Sequence, residues 1–233
     1  MQKRTFFKQS VIALLTLFFV QSTGLFGQFV YRTESEPGSL SGPPTPIGIQ
    51  ELTNGEMVAL SAKQSLGRYT LLHLDDNGNL VSSVEQTGGF TDLYFQDMRA
   101  TSNGGYVLSG TAFIAGVAHT YLVKYNASDV YQWSVAVNHP NREHEYGTYV
   151  EETTNGFVVT GQVYKPASFP DPEYYYVTLM KVSSSGVFQW ARRYENNYQL
   201  EGVAVDELSN GNFAVAVNEF GSGSPYTLSL IHI

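Results

Sequence analysis

The 233-residue chain has no cysteine. That excludes disulfide frameworks, thiolate metal centres, thiol nucleophiles and cysteine-linked lipid anchors. Basic residues are scarce too: 13 Lys and Arg stand against 21 Asp and Glu, a formal charge of -8. A nucleic-acid binder needs a basic patch for the phosphates, so no nucleic-acid partner is expected. Charged residues make up only 15% of the chain, which fits neither a coiled coil nor a disordered acidic tail. Sustained 3.6-residue periodicity is missing outside the N-terminal segment. No hydrophobic run approaches the roughly 20 residues that a membrane-spanning helix requires. What abounds is glycine (22) and aromatic side chains (16 Tyr, 14 Phe), with 42% hydrophobic residues overall. That is enough for a real core in one large domain or two ordinary ones.

The N-terminus reads as an address. Lys3, Arg4 and Lys8 precede the apolar run Val11–Val20, and the small or polar residues Gln21, Ser22, Thr23 and Gly24 follow. This order is that of a secretory signal peptide, assigned here to residues 1–27. Cleavage after Gly24 puts Ser22 and Gly24 at the recognition positions, whereas cleavage after Gly27 puts Leu25 at the outer one. Removal takes away Lys3, Arg4 and Lys8 and no acid, lowering the formal charge from -8 to -11. Such a field favours solubility and discourages contact with anionic lipid or nucleic acid. No membrane span is expected after cleavage. Residues 28–46, with Pro43, Pro44 and Pro46 close together, read as an extended linker.

The remainder repeats. A Ser/Thr-Asn-Gly triplet recurs at Thr53-Asn54-Gly55, Ser102-Asn103-Gly104, Thr154-Asn155-Gly156 and Ser209-Asn210-Gly211, each followed by an apolar run. Asn-Gly between apolar runs predicts a hairpin, with a type I′ turn expected. A second strand pair follows in each full unit. Tyr69–Leu74, Thr120–Tyr125 and Tyr176–Val182 lead into turn residues at 75–78, 126–129 and 183–186. Last strands follow at Leu80–Val84, Val130–Val135 and Val187–Ala191, with Trp133 and Trp190 at equivalent places. Each unit is therefore a four-stranded antiparallel meander of about fifty residues, the size of a β-propeller blade. The fold expected is all-β, an incomplete propeller of about three and a half blades, with units near 47–96, 97–148, 149–202 and 203–233. Leu228–Ile233 resembles an in-frame translation of a sequencing adapter, while Tyr226-Thr227-Leu228 also aligns with Tyr69-Thr70-Leu71. Both readings predict a truncated gene product.

The phrases Ser102–Gly110 and Ser185–Trp190 resemble propeller-like, kelch-type repeats of about 50 residues. Similar repeats occur in large exported and cell-surface proteins of Gram-negative bacteria, often cargo of type IX secretion. The resemblance runs from about Ile47 to Thr227. It implies a secreted or outer-surface location after entry to the periplasm, and it carries over no catalytic residue. Within these 233 residues no stretch reads as the C-terminal sorting domain expected of type IX cargo.

The densest ionisable cluster is Arg142–Tyr146, with His139 nearby. If extended, Glu143 and Glu145 share one strand face and His144 takes the other. The segment reads as a solvated inter-blade loop, and because loops carry function it is the first place to seek a ligand. Glu143, His144 and Glu145 are thus the candidate ligand-loop residues. No catalytic, cofactor or metal residues are assigned. Asp75–Asn79 has the acidic character of a calcium loop but carries Leu80 and Gln86 where an EF-hand needs Gly and Glu, so it reads as a turn. Glu143, Asp171 and Glu173 are carboxylates that a glycosidase could use. Trp133 and Trp190 could stack on sugars, but recurrence at one repeat position favours packing between blades. Tyr174, Tyr175 and Tyr176 could assist a sugar site. The function expected is an interaction scaffold for a glycan or protein partner. The alternative is an exported, polysaccharide-active hydrolase.

Overall fold

The computed structural model describes residues 45–63, 67–90, 92–137, 143–167, 173–195, 199–220 and 227–232. It also describes two short strands, β1 (Ala13–Leu14) and β2 (Val30–Tyr31), which pair antiparallel. The signal-peptide assignment and nearly all of the linker lie outside the described residues, as do His139, Arg142 and Asp171.

Blade 1 consists of β3 (Thr45–Glu51), β4 (Met57–Lys63), β5 (Arg68–Leu74) and β6 (Leu80–Thr87). Blade 2 consists of β7 (Leu93–Ala100), β8 (Tyr106–Ile114), β9 (Val117–Tyr125) and β10 (Tyr131–Val137). Blade 3 follows as β11 (His144–Thr153), β12 (Gly156–Lys165), β13 (Tyr174–Ser183) and β14 (Phe188–Tyr194). Blade 4 has three strands among the described residues: β15 (Gln199–Glu207), β16 (Phe213–Phe220) and β17 (Thr227–His232). Each sheet is an antiparallel meander in chain order, so the chain is all-β with the consecutive sheets of an incomplete propeller. The sheets start a few residues ahead of the sequence periods, and the boundaries 96/97, 148/149 and 202/203 fall inside β7, β11 and β15. The Asn-Gly turns follow the first strand of each sheet, so they mark each blade several residues after it begins.

Stacking runs one way around. β7 packs on β3 and β4, β11 on β7, β8 and β9, and β15 on β11, β12 and β13. The first strands therefore lie together on the inside, and the last strands face outward. Burial follows this order. β8 and β9 are almost continuously buried, as strands covered on both faces must be. No residue of β6, β10 or β14 is buried. Every first strand carries a bulge at one register position, between Pro46 and Gly48, Phe95 and Asp97, Gly147 and Tyr149, and Gly202 and Ala204. A bulge sharpens local twist. Here it brings the backbone of one blade close to the next: a Cβ on Gly202 would lie 1.9 Å from Thr160 Oγ1, and one on Gly147 would lie 2.7 Å from the Gly110 carbonyl.

The turns correct one expectation. Asn54, Asn103, Asn155 and Asn210 all have negative φ, so none of the four turns is type I′. In six turns the fourth residue donates its N–H to the first carbonyl, and the first residue bonds the fifth. These begin at Leu52, Asp75, Thr101, Asn126, Ser183 and Leu208. Left-handed φ falls on the fourth residue alone: Gly55, Gly78, Gly104, Gly186 and Gly211, with Asp129 taking that place once. This is the three-residue loop with a left-handed bulge residue. The first side chain often holds it shut; Asp75 Oδ1 accepts from the N–H groups of Asn77 and Asn79 at 2.9 and 2.8 Å.

Two kinds of contact join the blades. At the second junction, the Trp133 ring packs on Phe157 at 5.5 Å, and its Nε1 donates to the Ser184 carbonyl at 3.0 Å. The turn glycine Gly186 lies so close beneath the ring that a Cβ would come within 2.6 Å of it. Trp190 packs on Phe213 in the same way, so both tryptophans sit between blades. Carboxylates supply the other contact. Glu152 accepts from the N–H and hydroxyl of Ser102 at 2.6 and 3.0 Å, and Glu207 accepts from those of Thr154 at 2.7 and 2.9 Å.

Candidate functional site

Glu143, His144 and Glu145 do not lie in a solvated loop. His144 and Glu145 are the first residues of β11, and Glu143 and Glu145 are buried at 6% and 2% exposure. The countercharge is Arg193 of β14, whose Nη2 pairs with Glu143 and lies 3.6 Å from Glu145 Oε1. Two carboxylates tolerate this burial because a guanidinium faces both. Local sequence could not show this, since Arg193 lies about fifty residues on and meets them only through blade 3.

Strand alternation holds: His144 takes the opposite face. Its Nδ1 accepts the Ala118 N–H at 3.3 Å. The register His144–Tyr164–Tyr175 runs straight across β11, β12 and β13. The His144 ring lies 6.1 Å from Tyr164, and Tyr164 lies 4.9 Å from Tyr175, both pairs tilted by less than 40°. Tyr146, two residues along the same face, stacks beside His144 at 6.4 Å. All four side chains are half-buried. Their bodies cover one another while their polar ends stay near water, as amphipathic rings do. Tyr164 Oη donates to Glu173 at 3.4 Å. Burial raises the Tyr146 and Tyr175 phenols above their ordinary value; Tyr164 adds to both, and Glu173 adds to Tyr175.

Tyr174 and Tyr176 form a separate stack on the other face at 5.8 Å, with the Lys165 ammonium 5.9 Å from the Tyr174 ring. Of the carboxylates named from sequence, Glu143 is committed to Arg193 and Glu173 to the ring stack. Asp171 lies outside the described residues.

A second polar row escaped the sequence reading. On either side of the buried Met98, Val150 and Val205, the inner strands carry Asp97 and Arg99, Tyr149 and Glu151, and Ala204 and Asp206. Arg99 Nε donates to Asp97 at 3.1 Å, and its guanidinium stands 4.2 Å over the Tyr149 ring. Tyr149 Oη donates to Glu151 at 3.3 Å, and Asp97 accepts the Val150 N–H at 3.2 Å. Burial raises the carboxyls of both Asp97 and Glu151 despite the opposing pull of Arg99. Tyr149, Glu151 and Asp206, with Ala204, Ala214 and Ala216, line a groove of about 440 Å³. The signal that could have found this row is the residue following each bulge, which becomes visible only when the first strands are aligned by register. Among the described residues no three His, Asp or Glu side chains converge as a metal-binding set. No helix there is long and apolar enough to cross a membrane.

Fold and sites together define a class: an all-β chain of propeller-like blades. No family model and no curated protein matches it. It is similar to a solved structure of a protein of unknown function from Bacteroides caccae, with 9% identity and a TM-score of 0.46. The match covers 88% of this chain and 65% of that one, so the chain spans about two thirds of that protein's length.

Proposed function

We propose that this chain is an exported, surface-associated binding module whose blade 3 presents a glycan-binding edge. The observation that carries the reading is the stack of His144, Tyr146, Tyr164 and Tyr175, with the Tyr164 hydroxyl bonded to Glu173. A glycan offers alternating hydroxyls and apolar ring faces, and a site for it combines aromatic bodies with a few placed polar groups. Export rests on the order of charge and hydrophobicity in residues 1–27, and the outer-surface location on the repeat resemblance.

Retention on a panel of immobilised glycans tests the reading. Tyr164→Ala and Tyr175→Ala should abolish retention of the wild-type ligand, and Tyr164→Phe should weaken it, with unfolding curves little changed. Retention that survives both alanine variants sinks this site, and retention only by a protein partner sinks the glycan.

The second reading is a polysaccharide-active hydrolase. It is favoured by Asp97 and Glu151, whose raised carboxyls suit a general acid. Turnover that disappears in Glu151→Gln while glycan retention persists would establish it in place of simple binding.

A further inference from the structure

Blades 2 and 3 align at their bulges, where Gly110 and Gly161 stand opposite the bulged strand. Tyr94 then falls on Tyr146, Phe113 on Tyr164 and Ala118 on Tyr175. In blade 2 the Tyr94 and Phe113 rings meet edge to face at 5.8 Å, and Ala118 is buried. Packing at this end of a blade therefore needs no hydroxyl on its second or third strand. Blade 3 places one on each. It also replaces the tight Ala115-Gly116 connection with a longer one whose last residue is Glu173. The Glu173 carboxylate accepts from the Tyr164 hydroxyl at 3.4 Å. The polar groups of the stack thus exceed what the fold requires, and they include an acid.

The chemistry of the row is one-sided. His144 Nδ1 accepts the Ala118 N–H, which assigns the ring hydrogen to Nε2 and leaves the ring a neutral donor. The faces of phenol rings attract cations, and a carboxylate only accepts hydrogen bonds. The cations nearby are engaged elsewhere. The Lys165 ammonium lies by the Tyr174 ring on the opposite face, and Arg193 meets Glu143 and Glu145. Arg192 shares the face of the row through its partner Leu179 but stands over the Trp190 ring at 5.5 Å. Burial first and Glu173 next raise the Tyr175 phenol above its ordinary value, in keeping with a negative potential at this edge.

We propose that the blade 3 row selects glycans bearing a protonated amine, that is, amino sugars without an acyl group. The ammonium donates to Glu173 and the apolar face of the sugar lies against the tyrosine rings. An N-acyl group removes the charge and two of the three donors, so the acylated sugar loses the contact with Glu173. This inference rests on the glycan-binding reading and narrows it to one substrate class.

The test uses the full chain and soluble oligomers of glucosamine and of N-acetylglucosamine of equal length, titrated by calorimetry in mildly acidic buffer. The glucosamine oligomer should bind about tenfold more tightly, the scale of one charge-assisted hydrogen bond. Glu173→Gln should remove that preference while leaving the unfolding curve unchanged, since Glu173 is exposed. Asp76→Asn, which deletes an exposed charge in blade 1, should leave the preference intact. Equal affinity for the two oligomers, with both lost in Tyr164→Ala, overturns the amine selection and spares the glycan reading. A preference that survives Glu173→Gln, or falls equally in Asp76→Asn, overturns it too, because general charge attraction then accounts for binding. Failure to bind any glycan sinks both.

Discussion

Asp129 is the residue at which the repeat breaks its own rule. Its φ is +58°, in a place where the other five loops of this type use glycine. Aspartate tolerates that region better than most residues, and a non-glycine there calls for a compensating contact. Both carboxylate oxygens meet His73 Nε2, at 2.9 and 2.8 Å, and Tyr106 Oη donates to Oδ1 at 2.6 Å. Tyr106 stacks on Tyr125, whose hydroxyl bonds that of Tyr69. Burial, followed by the bond to Asp129, pushes the Tyr106 phenol far above its ordinary range, so it stays a donor. Asp129→Gly relieves the backbone but leaves His73 and Tyr106 without their acceptor, and should cost about 2 kcal/mol in urea unfolding. Asp129→Ala keeps the backbone strain as well and should cost about 1 kcal/mol more. An alanine variant as stable as the glycine variant would show that the backbone at 129 carries no strain.

Among elements, the hairpins were the most legible part of the sequence and also the part most easily misread. The triplets located four turns, and the apolar runs located the second, third and fourth strands. Turn type did not follow, because Asn-Gly serves both the two-residue loop and the three-residue loop. The choice between them depends on the residue before the asparagine and on strand register. Burial of Glu143 and Glu145 was hidden for a different reason. A carboxylate beside a histidine looks solvated until its partner is known, and Arg193 lies three strands away. His144 could be singled out as a candidate only in isolation, because Tyr164 and Tyr175 become its neighbours through sheet register alone. The turn glycines separate local strain from contact between blades. Gly55 has φ +85° and open space around it, so Gly55→Ala should cost about 1 kcal/mol by strain alone. Gly186 has nearly the same φ but faces Trp133, so Gly186→Ala should cost at least about 1 kcal/mol more and perturb indole fluorescence. Equal losses in thermal unfolding would mean that the Trp133 contact contributes nothing to stability.

Across the whole molecule the junctions differ in kind. The first uses the His73–Asp129 pair, with Ser82 where the later blades place tryptophan. It has no carboxylate on the Thr53 turn, since Ala100 occupies the register position of Glu152 and Glu207. The second and third junctions carry both the tryptophan and the carboxylate. The Thr154 N–H, followed by its hydroxyl and the nearby Lys181, holds the Glu207 carboxyl below its usual range. A carboxyl lowered on folding gives stability that is present above its unfolded value and is lost as pH falls through the folded one. The Thr154–Glu207 contact should therefore hold at neutral pH and fade across the acid side of the carboxylate range. Glu207→Gln should lower the unfolding midpoint at neutral pH, and the gap from wild type should close steadily on acidification. A gap that stays constant with pH would mean that Glu207 joins blades 3 and 4 by shape alone, without its charge.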